Sequence, residues 1–235
     1  MEYSSIFERT EMKYLLSTKQ YLAVKQAISK WMEIDKYGKT TICNLYYDTF
    51  DSILIQRSLE KPLYKEKLRV RSYGQAGIQS PAFVELKKKY KGIVYKRRVA
   101  MPYSDAISYM NGHEAPMSNQ IISEIDYFKS FYRNLRPMMY ISYEREAFFC
   151  KSSADLRITF DQNILYRDTD LSLCSRPYGS SLLEEEQVLM EIKASMAIPL
   201  WLVSILNTDH LTKTSFSKYG NAYLSSIAKG VYKYA

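Results

Sequence analysis

The sequence predicts an α+β chain built on a mostly antiparallel sheet with helices packed outside it. Three observations lead there. Short β-branched and aromatic segments recur along the chain with apolar and polar residues alternating, the period of a strand that buries one face. Segments with apolar residues three and four positions apart fall between them, the period of a helix. No internal repeat, low-complexity tract or Gly/Ser linker interrupts the 235 residues, so a single domain over 1–235 is expected.

Taken in order, Phe7–Leu16 reads as a strand, followed by a helix capped by Ser17 or Thr18 with Leu22, Ala27, Ile28 and Trp31 on its buried stripe. Ile42–Asp48 is aromatic and β-branched enough for a strand. Lys67–Tyr73, Ala82–Lys89 and Ile93–Met101 read as consecutive antiparallel strands, with turns at 75–81 and at Lys91-Gly92. Ser104 caps a short helix ending near Asn111-Gly112, and Ser118 or Asn119 starts a longer one through Ile121, Ile122, Ile125, Phe128 and Tyr132. Strands resume at Met139–Phe149, Leu156–Phe160 and Gln187–Ala194, and helices follow at Pro199–Leu206 and around Asn221–Ile227.

Composition excludes several classes. Hydrophobic residues are 46% and charged residues 25%, with 8 Gly and 7 Pro, which suits a globular protein and not a disordered or collagen-like one. The longest apolar run, Ala197–Leu206, is half of the roughly 20 residues a membrane span needs. The N-terminal MEYSSIFERTEMKY lacks a basic-then-apolar signal pattern, so a cytoplasmic protein is expected. Three cysteines and two histidines, widely spaced, form neither a disulfide scaffold nor a zinc set, so any metal would be a hard cation held by carboxylates. Lys and Arg outnumber Asp and Glu by 33 to 25, a formal charge of +8, which favours anionic partners.

Charge placement narrows the choice. In Lys67-Leu-Arg-Val-Arg71 the basic residues share one strand face, and Glu85, Lys87 and Lys89 share a face in the next strand. Lys96 and Arg98 alternate with Tyr95 and Val99, although Arg97 interrupts the pattern. Glu191 and Lys193 lie together, as do Arg157 and Asp161, and Arg9, Glu11 and Lys13 line the first strand. A half-solvated sheet accounts for any one of these strands. Six together repeat cations in register, with a carboxylate two residues before a lysine in three of them, and this demands an anion among them. A sheet closed into a barrel would turn the charged face into a lumen able to hold a polyanion with Mg²⁺ or Mn²⁺.

At these residues the chain resembles the triphosphate tunnel metalloenzymes, which include CYTH-type phosphatases and RNA triphosphatases, and within them the VTC-type polyphosphate polymerase domain. The stretches that carry the resemblance are Glu11–Tyr14, Tyr46–Thr49, Lys67–Arg71, Glu85–Lys87, Tyr143–Phe148, Arg157–Asp161, Glu191–Lys193 and Ser215–Tyr219, in the family's order. The resemblance implies a closed, eight-stranded antiparallel tunnel binding ATP, triphosphate or polyphosphate. It implies Lys13, Arg69, Arg71, Lys87 and one of Lys96 and Arg98 as phosphate ligands, with Arg145, Arg157 and Lys218 as their second-half counterparts. Glu191 matches the family's metal-binding glutamate, Glu11 and Glu85 are possible helpers, and strand parity adds Lys193 as a substrate ligand. Arg145 shares its parity with Ile141, Tyr143 and Ala147, so only the resemblance puts it in the tunnel.

Two departures stand out: Arg9 where the superfamily has a glutamate, and Ser215 where a lysine is common, with Lys213 as a substitute. The resemblance therefore implies a compact, bacterial-type, metal-dependent ATP:polyphosphate phosphotransferase. A tunnel triphosphatase and a non-catalytic polyphosphate or nucleotide sensor are the alternatives. No membrane span and no nucleic-acid partner are expected. His113 reads as a loop residue, His210 has no nucleophile motif beside it, and no Walker A or dinucleotide loop is present. Lys88, Lys89 and Lys91 read as a solvated strand end, and Glu184–Glu186 as a solvated loop.

Overall fold

The structure is a computed structural model that describes residues 10–91, 93–195, 197–208 and 210–230. Arg9 and the start of the strand expected from Phe7 lie outside the described residues. The strands are β1 (Thr10–Ser17), β2 (Met32–Ile34), β3 (Thr40–Asp48), β4 (Tyr64–Tyr73), β5 (Pro81–Tyr90), β6 (Ile93–Pro102), β7 (Arg136–Cys150), β8 (Ser153–Arg167), β9 (Ser180–Ser181) and β10 (Gln187–Ala194). The helices are α1 (Thr18–Ile28), α2 (Ile53–Leu59), α3 (Tyr103–Met110), α4 (Gln120–Tyr132), α5 (Leu200–Thr208) and α6 (Lys218–Ala228). The α+β reading holds, and each of the eight expected strands is represented.

Hydrogen bonds link the strands in the order β1-β10-β8-β7-β3-β4-β5-β6, with the short β2 on β7 and β9 on β8. The β1–β10, β10–β8, β3–β4, β4–β5 and β5–β6 pairs are antiparallel. Among the described residues this path has β1 and β6 as its ends, so the sheet is not closed by hydrogen bonds. The chain divides into two compact units. The first takes in residues up to Thr41, Tyr143–Ile164 and Leu183–Phe216; the second takes in Ile42–Ser142, Leu165–Leu182 and the chain from Ser217.

In the first unit, α1 lies over β1, β10 and β8. Tyr21, Val24 and Ile28 pack with Tyr14, Leu16, Ile158, Phe160, Met190 and Ile192. Ser17 caps α1 through a capping box with Gln20, as the sequence suggests. The expected stripe is half right: Ile28 is buried and Ala27 half-buried, but Leu22 and Trp31 are 58% and 45% exposed. Tyr21 takes the inward position because its ring meets Phe160 edge-on at 5.1 Å while its hydroxyl reaches the Glu146 carboxylate. Trp31 lies beyond the helix and stacks on Trp201 of α5 at 5.4 Å.

The second unit buries one face of β3–β6. Leu45, Tyr47, Leu68, Val70, Val84, Leu86 and Val99 pack against Ala106 and Tyr109 of α3 and Ile122, Ile125 and Phe128 of α4. Asn119, not Ser118, caps α4, its side chain accepting from the Ile122 N–H at 3.0 Å. No side chain caps α3, whose N-cap position is Pro102. Arg97, which breaks the alternation of its strand, bonds Glu124 of α4 at 3.1 Å, as its core-side parity requires. Helix α2 is absent from the sequence reading for a physical reason. Its flanking Ser52 is left-handed (φ 60°) and forms no cap. Asp48 instead reaches back to the N–H groups of Leu54 (2.9 Å) and Ile55 (3.0 Å).

Candidate functional site

In the second unit, the sheet face away from the apolar core carries cations in lateral register. Lys67, Lys87 and Lys96 stand opposite one another across β4, β5 and β6, and Arg69, Glu85 and Arg98 form the next rung. Arg71 follows on β4, facing Asn44 across β3, with Tyr46 facing Arg69. Like charges in directly opposed cross-strand positions repel, so this face carries an electrostatic cost that an anion would remove.

Glu85 organises the middle rung. It is 1% exposed. Arg69 Nε and Nη2 reach its Oε2 at 2.8 and 2.7 Å, with Arg71 Nη1 at 3.7 Å. Lys96 Nζ and Arg98 Nε approach Oε1 at 2.7 and 3.2 Å. Burial pushes the Glu85 carboxyl up, but Arg69, Arg71 and Lys96 together hold it well below the usual range. Burial, helped by Arg69 and Arg71 and opposed by Glu85, pulls the Lys96 ammonium down to about 8.

Neutral groups hold the guanidiniums in place. Arg69 Nη1 donates to Tyr46 Oη at 2.9 Å, and Arg71 Nε donates to Asn44 Oδ1 at 2.8 Å. Arg98 lies 3.6 Å from the Phe83 ring centre and donates to Tyr73 Oη at 3.0 Å. Tyr46 stacks on Tyr219 at 4.7 Å, and Tyr219 Oη donates to Asp48 Oδ2 at 2.9 Å. That bond joins two stretches singled out in the sequence, Tyr46–Thr49 and Ser215–Tyr219. It fixes the start of α6, where Ser217 Oγ accepts from Lys67 Nζ at 2.8 Å and half-buried Lys218 is the first helical residue.

The first unit carries a face of mixed sign. Across β1, β10 and β8, Lys13 stands opposite Glu191 and Glu191 opposite Thr159; in the neighbouring rung Glu11, Lys193 and Arg157 are opposed. Arg145 of β7 grips the fully buried Asp161 with two bonds, Nε to Oδ1 at 2.6 Å and Nη2 to Oδ2 at 2.7 Å. Its Nη2 lies 3.8 Å from Glu191 Oε2, and Lys193 Nζ lies 3.4 Å from the same oxygen. Lys13 Nζ donates to the Phe216 carbonyl at 2.6 Å, and the Arg157 guanidinium lies 4.7 Å from the Phe149 ring centre. The carboxylates of Asp161 and Glu191 keep the Arg145 guanidinium charged despite its burial.

The expected site residues thus fall into two sets. Arg69, Arg71, Glu85, Lys87, Lys96, Arg98 and Lys218 belong to the second unit; Glu11, Lys13, Arg145, Arg157, Glu191 and Lys193 belong to the first. Lys213 is exposed, its backbone bridged to Tyr14 in the first unit. Four groups to which the sequence reading gave no ligand role complete the geometry: Asn44, Tyr46, Asp161, expected only to share the charged face of Arg157, and Ser217. Strand parity was the available signal for the first three, since Asn44 and Tyr46 alternate with apolar Cys43 and Leu45, and Asp161 with Phe160 and Ile158. Ser217 had no such signal, because it acts from a helix cap.

Among the described residues no three His, Cys, Asp or Glu side chains gather as a metal cage. Mg²⁺ and Mn²⁺ do not require one, since one or two carboxylates suffice when phosphate oxygens and water complete the shell. The buried carboxylate of Glu191, on the same face as Glu11, fits that pattern. Glu85 does not, because the four cations on its two oxygens oppose a further positive charge.

Solved structures share this fold. A protein from Bacillus halodurans, described as an adenylate cyclase candidate, aligns with a TM-score of 0.54 at 15% identity, covering 91% of this chain and 94% of its own. An adenylyl cyclase candidate from Hippeastrum, described as having a dominant triphosphatase activity, gives 0.55 at 13% identity, covering 92% and 95%. A further adenylate cyclase candidate, from Vibrio parahaemolyticus, gives 0.51 at 13% identity, covering 93% and 98%. No curated protein matches the sequence. The family is defined by the sequence itself: it matches the VTC domain over residues 8–227, and the chain belongs to that family. No described helix is long and apolar enough to cross a membrane.

Proposed function

We propose that this protein is an ATP-dependent polyphosphate polymerase, a single catalytic domain in which both charged faces serve one closed, eight-stranded tunnel. The observation that carries the reading is the lysine rung Lys67–Lys87–Lys96 beside the Arg69–Glu85–Arg98 rung. With Arg71 and the opposed pair Lys65 and Lys89, the β4–β6 face has eight cations and one carboxylate, an excess suited to a phosphate chain. Membership of the VTC domain family supports it.

In this reading Arg69, Arg71, Lys87, Lys96 and Arg98 neutralise and align the triphosphate, with Lys218 at the start of α6. Lys13, Arg145, Arg157 and Lys193 grip the chain from the first unit. Asp161 holds one edge of Arg145, so its guanidinium is preset. Glu85 is the counter-ion that orders the arginines. A terminal phosphate oxygen of the chain attacks the γ-phosphorus of ATP; the bond from that phosphorus to the β,γ-bridging oxygen breaks, and ADP leaves with the electron pair. The nucleophile is already anionic at neutral pH, so no general base is required, and catalysis rests on positioning and charge neutralisation. Glu191, with Glu11 nearby, would hold Mg²⁺ or Mn²⁺, which supplies further charge neutralisation at the phosphate oxygens.

A tunnel triphosphatase is the second reading, favoured by the activity described for the Hippeastrum protein of the same fold. Incubation of purified protein with ATP and Mn²⁺, with and without a short polyphosphate primer, separates the two. Long chains appearing with ADP on a gel or by phosphorus NMR are expected. Orthophosphate without chains would establish the hydrolase instead. Absence of turnover, with ATP still raising the melting temperature, would make the protein a sensor.

A further inference from the structure

Thr159 has a chemical oddity that the phosphate-gripping reading leaves unexplained. It is 1% exposed, and its Oγ1 has no hydrogen-bond partner. Buried polar groups are nearly always satisfied, and leaving one alone is costly. A valine would fill the same space in a strand without that cost, so the hydroxyl calls for a chemical reason. Register supplies one. Thr159 of β8 lies directly opposite Glu191 of β10, on the same sheet face, and Glu191 is opposite Lys13 of β1.

The neighbouring groups define which ligand fits. Both oxygens of Asp161 are held by Arg145, which removes the nearest carboxylate on β8 from competition. The remaining oxygen donors of the two rungs are the Glu191 carboxylate, the Thr159 hydroxyl and, one rung away, Glu11. A carboxylate with an aligned hydroxyl is a hard oxygen set, suited to Mg²⁺ or Mn²⁺. Lys13, Arg145, Arg157 and Lys193 surround it, so a bare divalent cation would be repelled. A cation carried in by a polyphosphate would not be.

We propose that Thr159 Oγ1 is an oxygen ligand, beside Glu191, for a divalent cation that binds this face only together with a phosphate chain. The proposal rests on the anion-binding reading above and adds to it a residue and an order of loading. Metal and polyanion then strengthen one another by the same factor, since linkage is reciprocal.

The test measures binding, with adenylyl imidodiphosphate as the probe, by calorimetry with and without Mn²⁺. Wild type is expected to bind the probe without metal and more tightly with Mn²⁺. Thr159→Val should keep the metal-free affinity and lose about tenfold of the Mn²⁺-dependent gain, as groups tuning a metal site do. Thr159→Ser should restore that gain, and Glu191→Gln should abolish it. Denaturant unfolding should find Thr159→Val at least as stable as wild type, because a solitary hydroxyl has been removed. A full Mn²⁺ gain in Thr159→Val overturns the proposal, as does a loss of metal-free affinity, which would make the hydroxyl a phosphate contact or a structural group. A wild type that binds the probe but ignores Mn²⁺ overturns this inference alone. One that does not bind the probe at all sinks the anion-binding reading with it.

Discussion

The two units use the same device, a strand face of alternating charge, and balance it differently. On the second unit's β4–β6 face, Lys65, Lys67, Arg69, Arg71, Lys87, Lys89, Lys96 and Arg98 stand with one carboxylate, Glu85, which is committed to Arg69, Arg71, Lys96 and Arg98. On the first unit's face, Lys13, Arg145, Arg157 and Lys193 are mixed with Glu11, Asp161 and Glu191, and Arg145 is almost cancelled by Asp161. The difference teaches what each face can hold. An unbalanced face draws an anion; a nearly neutral face with a committed arginine leaves room for a carboxylate to act on a cation. Single carboxylates therefore have different surroundings in the two units: Glu85 is held by four cations, and Glu191 stands between Lys13 and Thr159 across the strands.

Replacing those carboxylates is the strongest way to break the contrast. Glu85→Ala leaves four cations around a buried vacancy and is expected to cost about 3–5 kcal/mol of unfolding free energy, the usual penalty for removing one partner of a buried ion pair. Glu191→Gln should cost about 1 kcal/mol or less, within the range of a modest polar change, while turnover collapses. Equal destabilisation in denaturant titrations would remove the distinction between the two faces.

Arginines give the next largest effect. Arg71→Ala should weaken tripolyphosphate binding about 10- to 100-fold, the equivalent of a charged hydrogen bond at roughly 1.5–3 kcal/mol. Calorimetry that found the affinity unchanged would remove this face from the binding site.

Lys96 sharpens the comparison through pH. With its ammonium at about 8 in the free protein, Lys96 is charged below that pH and neutral above it. A bound polyanion favours the charged form, so binding takes up a proton. Affinity should be constant below pH 8 and should fall as pH rises beyond it. Lys96→Arg, charged throughout, should flatten the profile. A slope that survives in Lys96→Arg would assign the titration elsewhere.

The smallest effect concerns the link between α6 and the cationic face. Tyr219→Phe keeps the stack on Tyr46 and removes the bond to Asp48. A loss of about 1 kcal/mol is expected from that hydrogen bond, together with a raised KM at unchanged kcat. A fall in kcat alone would place Tyr219 in the chemistry and not in positioning.

The strands and their charged faces were legible in the sequence because alternation is a local property: a residue two positions along points the same way whatever the rest of the chain does. Lys67, Arg69 and Arg71 are on one face by that rule, and so are Glu191 and Lys193. The rule also carried Arg157 and Asp161. Helices were less secure. Leu22 and Tyr21 are adjacent and both suit a buried stripe; the Tyr21 hydroxyl contact with Glu146, 125 residues away, decided which turned inward. Likewise α2 owes its start to Asp48 and not to the residue that flanks it.

What the sequence by itself determined is the alternation, the charge excess and the family. Only the tertiary structure decided the partnerships: which cations share Glu85, that Asp161 claims Arg145, and that Asp48 holds Tyr219. Those depend on strand register and on contacts between segments far apart in the chain, such as the 171 residues separating Asp48 from Tyr219. Local propensity contains no term for that separation. The difference between a carboxylate that orders arginines and one suited to a metal therefore arises from neighbours that folding supplies.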